Sequence, residues 1–227
     1  FSSRLLLPAI TVDLFAVLFG GVTALLPAFA RDLLHAGPEG LGALRAAPAA
    51  GALVMALIST RMKAWKRPGR ALFIAITVFG AATLAFGLST NLWLSCALLA
   101  ISGAADNVSV VIRTTLEQMI TPDDVRGRVS SVRYVFIGMS NELGELESGL
   151  VAAAIGAVPS VVVGAIACFG VLGAVRVLWP ELYQLGPLAQ LAPISIATNA
   201  ANAANATNAL SHGGGTSAVP TSPRSRP

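Results

Sequence analysis

Glu142, Glu145 and Glu147 fall within eight residues, NELGELES from Asn141 to Ser148, between two stretches, VRYVFIGMS and GLVAAAIGAVP, that are nearly free of charge. Carboxylates sheltered in apolar surroundings can exchange protons near neutral pH, which is the chemistry this grouping offers. Summed at the centre of a bilayer, three such groups would cost roughly 7–10 kcal/mol on insertion scales, so neighbouring protein or water must shelter them. At about 100° per residue, Glu142 and Glu145 lie about 60° apart on one helix face. Gly138, Asn141, Ser148 and Gly149 share or flank that face, giving the polar, small-residue stripe used by packed membrane helices and aqueous cavities. Glu147 points about 160–200° away from Glu145 and lies nearer one end, where it can reach the interface.

Other charges sit in similarly apolar runs. Asp13 is about 12 Å into the first such run at 1.5 Å per residue, and Asp106, in SGAADNVS, lies at a comparable depth in the fourth. Arg45 is about one turn into the second and could act as countercharge to a glutamate, whereas Arg113 reads as a headgroup anchor closing the fourth. Two roles stay open for the acids. One is a buried polar clamp between helices, and the other is a substrate or proton pathway lined by Glu142, Glu145, Asn141, Asp13 and Asp106. No catalytic set is expected. His35 and His212 stand alone in loops, Cys96 and Cys168 sit in apolar runs, and no spacing matches a zinc site or a Ser–His pair, so neither metal nor cofactor is expected.

The elements that must position these residues follow from composition. Of 227 residues, 55% are apolar and only 11% charged, with a mean hydropathy of +0.73, too little charge for a water-facing surface. The class is an all-α integral membrane protein. Six runs are long enough to cross about 30 Å of hydrocarbon: about Leu5–Phe29, Leu41–Ser59, Ala71–Leu88, Leu92–Ile112, Val132–Ala157 and Val161–Trp179. The net charge of +4 is concentrated in RMKAWKRPGR and around PDDVRGR, so by the positive-inside rule these loops and both termini are cytoplasmic, and nucleic acid is not implied. In TPDDVRGR, Thr121 suits an N-cap and Pro122 a first helical turn, predicting a short helix leading into the fifth span. Residues 1–180 form the transmembrane domain. Residues 181–227, Asn/Ala-rich and then Gly/Ser/Pro-rich, read as a disordered cytoplasmic tail. Phe1 opening straight into FSSRLLLPAIT reads as a piece of a longer chain.

DLFAVLFGGVTALLPAFARDLL, GPEGLGALRAAPAAGAL, TPDDVRGRVSSV and SNELGELESG together resemble the C-terminal half of major facilitator superfamily transporters, and more narrowly the branch of the enterobactin exporter and its drug-efflux-like relatives. The resemblance covers about Leu5 to Pro180. It implies helices seven to twelve of a twelve-helix, alternating-access exporter in a bacterial inner membrane. The partners it implies are the lipid bilayer, a small-molecule substrate, protons as coupling ion, and an N-terminal six-helix half or a second copy of this chain. Arg126, Gly127 and Arg128 match the family's cytoplasmic linker. Gly69 and Arg70 resemble the end of its Gly-x-x-x-Asp-Arg-x-Gly-Arg-Arg loop, whose acidic residue has no counterpart here. A non-transporting scaffold or a decayed half-transporter is the alternative expectation.

Overall fold

The computed structural model describes residues 22–62, 67–120 and 126–183. Asp13, the start of the first span, the Thr121–Asp124 cap and the tail from residue 184 lie outside these ranges. The first described stretch is a 3-10 turn (Val22–Leu25), a short helix α1 (Leu26–Ala28) and a π turn (Phe29–Leu33). Five long helices follow among the described residues: α2 (Pro38–Arg61), α3 (Pro68–Gly87), α4 (Leu92–Ile120), α5 (Arg126–Ile155) and α6 (Ala157–Leu178). A single turn, α7 (Pro180–Tyr183), closes the described chain.

Local chemistry sets the boundaries. Pro38 and Pro68 open α2 and α3, where proline's fixed φ suits the helix and its missing N–H loses no bond. Asn91 caps α4, its Oδ1 accepting from the backbone N–H of Trp93 at 2.9 Å and of Leu94 at 3.1 Å. The fourth span was expected to stop at Ile112, but α4 runs on to Ile120. Arg113 does not end it, because Leu116–Met119 just beyond are good helix formers and Leu116 and Glu117 are buried.

Among the described residues, four helices are long and apolar enough to cross a membrane: Pro38–Arg61, Pro68–Gly87, Leu92–Gln118 and Ala157–Leu178. Six spans were expected. Most of the first lies outside the described residues. Where the fifth was expected lies the helix α5, whose 30 residues reach about 45 Å; Arg128, Arg133 and the three glutamates leave it too charged to count among the membrane-crossing helices.

The GAVPS stretch proves to be a one-residue turn. Gly156 alone separates α5 from α6, at φ 97° and ψ 160°, a conformation open in practice to glycine only. Its N–H donates to the Ala152 carbonyl at 2.8 Å, and Ser160 Oγ donates back across the turn to the Ser148 carbonyl at 3.1 Å. Gly156→Ala should therefore destabilise the bundle by about 1–3 kcal/mol. Gly173→Ala, at a helical position with open space around it, should leave the melting midpoint unchanged or slightly raised. Loss of helical circular dichroism on heating the detergent-purified chain measures both.

Among the described residues, each element packs on the next in the order Val22–Leu33, α2, α4, α3, α6, α5 and back to Val22–Leu33. Two apolar clusters hold the ends. One joins Phe29, Leu44, Phe86, Leu99 and Val161, with the Phe29 and Phe86 rings 4.8 Å apart. The other joins Leu72, Phe73, Ile76, Ile112, Leu116, Cys168 and Val175. Between them α2 and α4 meet backbone to backbone. A Cβ on Gly51 would fall onto the Ala100 carbonyl oxygen, and one on Gly103 onto the Pro48 carbonyl oxygen. This contact fixes α4, and with it Asp106 one turn further on.

Candidate functional site

The surface of α5 divides into three sectors. Ser140, Gly144 and Ser148, at i, i+4 and i+8, form the buried stripe. Ser140 Oγ spends its proton on the Phe136 carbonyl at 2.7 Å, so this stripe contributes packing rather than a free hydroxyl. On one side of it, Asn141, Glu145, Gly138, Gly149 and Glu142 follow one another within roughly 60–160° of Gly144. All but the half-buried Gly149 are exposed, and added Cβ atoms on Gly138 or Gly149 would meet nothing within 4 Å. On the other side lie Phe136, Leu143, Val132, Leu150, Met139 and Leu146, all exposed and all apolar. The expected carboxylate face is thus present, but Ser148 turns into the bundle instead of joining it. Glu147, half-buried, flanks the stripe on the apolar side, with its Oε2 3.5 Å from Ser148 Oγ.

Glu142 and Glu145 make no ion pair among the described residues, and neither does Arg45, which is exposed on α2. The structure therefore does not bring Arg45 to either glutamate. Asp106 has a different setting. It opens on a cavity of about 20 Å³ between α3 and α4, shared with Ser109, Arg113, Phe79 and Ile76. Ser109 is only 2% exposed, and its Oγ has no hydrogen-bond partner among the described residues. A cavity of that size holds about one water molecule, and three polar groups line it. Asp106, Ser109 and Arg113 are spaced i, i+3 and i+7, a pattern that places them on one face of α4. Reading Arg113 as a headgroup anchor hid that relation.

At the start of α3, Gly69 is buried and Arg70 exposed. The Arg70 guanidinium lies 5.4 Å from the centre of the Tyr183 ring, and Arg176 stacks on the same ring at 3.8 Å. Phe73 meets Tyr183 edge-on at 5.4 Å. Gly127 and Arg128 are exposed in the first turn of α5, and Arg126 begins that helix.

A scan against family models matches residues 3–198 to a major facilitator type family described as transmembrane secretion effectors. The chain belongs to this family. It is a multi-pass transmembrane protein of the major facilitator superfamily, and that membership points to transport rather than catalysis. No curated protein and no solved structure matches it. The match ends at residue 198, past the Pro180 boundary expected for the transmembrane domain.

For a major facilitator transporter, three features were missed by sequence reasoning. Ser109 was one serine among many, and only its burial without a partner sets it apart. Glu117 was left outside the fourth span because that span was ended too soon. Tyr183 lies just beyond the last apolar run, yet it gathers Arg70 and Arg176 from two different helices.

Proposed function

We propose that this chain supplies the second six-helix half of a secondary active exporter, moving a small molecule out across a bacterial inner membrane in exchange for protons. The observation that carries this reading is the division of α5. A single helix exposes an apolar sector suited to lipid and, across its buried stripe, a polar sector with Asn141, Glu142, Glu145 and two uncrowded glycines. A lipid-facing helix has no use for the second sector, whereas a cavity or a seam with another six-helix unit does. Glu142 and Glu145 act as proton carriers there, and Asp13 and Asp106 supply further polar lining. Conformational change is rocking of this unit against its partner around a site near the membrane midplane. Support for transport comes from family membership, and support for proton coupling comes from Glu142 and Glu145, which make no ion pair among the described residues.

Thiol labelling tests the placement. With Cys96 and Cys168 replaced by alanine, Asn141→Cys and Glu145→Cys should react with a water-soluble maleimide about ten-fold faster than Leu143→Cys and Leu146→Cys, since the reacting thiolate needs water. The experiment is done in membranes of expressing cells. Equal rates in the two sectors would put the acids among acyl chains and remove the basis for a pathway.

A further inference from the structure

A groove of about 740 Å³ runs along the outside of the bundle between α2, α3 and α4. Its walls are apolar: Met55 from α2, Ile74 and Val78 from α3, Ile101 and Val108 from α4, over a floor of alanines. Its polar residues are Arg67 and Arg70, and both belong to the end where α3 begins. We propose that this groove binds an anionic phospholipid, one acyl chain lying along the apolar walls and the phosphate held by Arg67 and Arg70.

Length, charge and preorganisation argue for that occupant together. From Arg67 to Val78 is eleven residues of rise, about 16 Å, which matches one leaflet of a hydrocarbon core about 30 Å thick. Both arginines are exposed, and among the described residues neither makes an ion pair. Arg70 is steadied by the Tyr183 ring, so its guanidinium is presented rather than loosely solvated. Arg67 occupies the N-cap position of α3 without a side-chain capping bond, leaving the positive end of the helix beside the same spot. A guanidinium pair suits a phosphate diester, and basic pockets at the cytoplasmic side of membrane helices are where anionic headgroups bind. RMKAWKRPGR joins the end of α2 to the start of α3, where both arginines lie, so the lipid belongs to the leaflet on that side.

The inference depends on membrane embedding and not on transport. A chain that holds the lipid but exports nothing leaves the groove standing and removes only the exporter. The test uses the 227-residue chain, stripped of lipid in mild detergent and titrated with phosphatidylglycerol or phosphatidylcholine, with bound lipid counted by native mass spectrometry. Wild type should retain phosphatidylglycerol about ten-fold more tightly. The double variant Arg67→Gln/Arg70→Gln should lose that preference, and Ile74→Trp, at an exposed wall position, should lower retention of both lipids. Millimolar inorganic phosphate should fail to displace phosphatidylglycerol, since it cannot fill the apolar length. Equal retention of the two lipids by wild type, an unchanged preference in the arginine variant, undiminished binding in Ile74→Trp, or full displacement by inorganic phosphate would each overturn the proposal. Unaltered helical circular dichroism in the variants confirms that folding is intact.

Discussion

Glu145→Gln is expected to reduce gradient-driven efflux on the order of a hundred-fold, or to background, while the chain still inserts in the membrane. The substitution keeps size and hydrogen-bonding capacity and removes only the ability to gain and lose a proton. If Glu145 were a clamp holding α5 to its neighbours, the amide would serve nearly as well. The geometry argues against a clamp within this unit. The carboxylate is exposed, makes no ion pair among the described residues, and lies about 100° from the Gly144 stripe that does the packing. Glu145→Asp, which keeps a titratable group on a shorter arm, should recover part of the activity. Leu146→Gln places a new polar group in the apolar sector, so it should lower the amount inserted without changing efflux per inserted molecule. The assay is efflux of a small-molecule panel from energised cells, with and without a protonophore. Full activity in Glu145→Gln would return the residue to a structural role.

Much of the fold could be read before any coordinates, and the reasons are local. The apolar runs place the starts of α2, α3 and α4 within about three residues, because Pro38, Pro68 and Asn91 open each helix just before its run begins. The end of α4 was misplaced because Arg113 was judged by its type. Its position seven residues after Asp106 is the more informative fact, since it puts both on the wall of one small cavity. The turn at Gly156 was hidden for a related reason. Pro159 suggests a loop, yet at the third position of α6 its missing N–H would have had no intrahelical partner. The carboxylate face of α5 needed only the helical period. What the period could not say is which neighbours cover that face, because coverage is a tertiary property, and the packing among the described residues leaves it exposed.

Gly103→Val is the structural counterpart, and it should prevent the bundle from surviving extraction at temperatures the wild type withstands. Helices in lipid gain little from apolar burial against one another, so close packing and interhelical contacts must hold α2 to α4. Here the approach is so close that the neighbour of each missing side chain is a carbonyl: Pro48 faces Gly103, and Ala100 faces Gly51. A flexible side chain could rotate aside; a helix backbone has to move as a body. Inserting one methyl into such a contact costs about 1–3 kcal/mol, and valine adds more. Gly103→Ala should lower the melting midpoint measurably, and Gly103→Val should leave mostly aggregate on size-exclusion chromatography. The double variant Gly51→Ala/Gly103→Ala is the sharper test. Once one added methyl has separated the helices, the second finds room, so the pair should be little worse than its more damaging member. Losses that simply add would mean the two glycines relieve independent contacts. Since Asp106 follows Gly103 by three residues on the same helix, any separation also displaces the cavity it shares with Ser109 and Arg113. Gly103→Ala protein that survives extraction should then export more slowly than its stability alone accounts for.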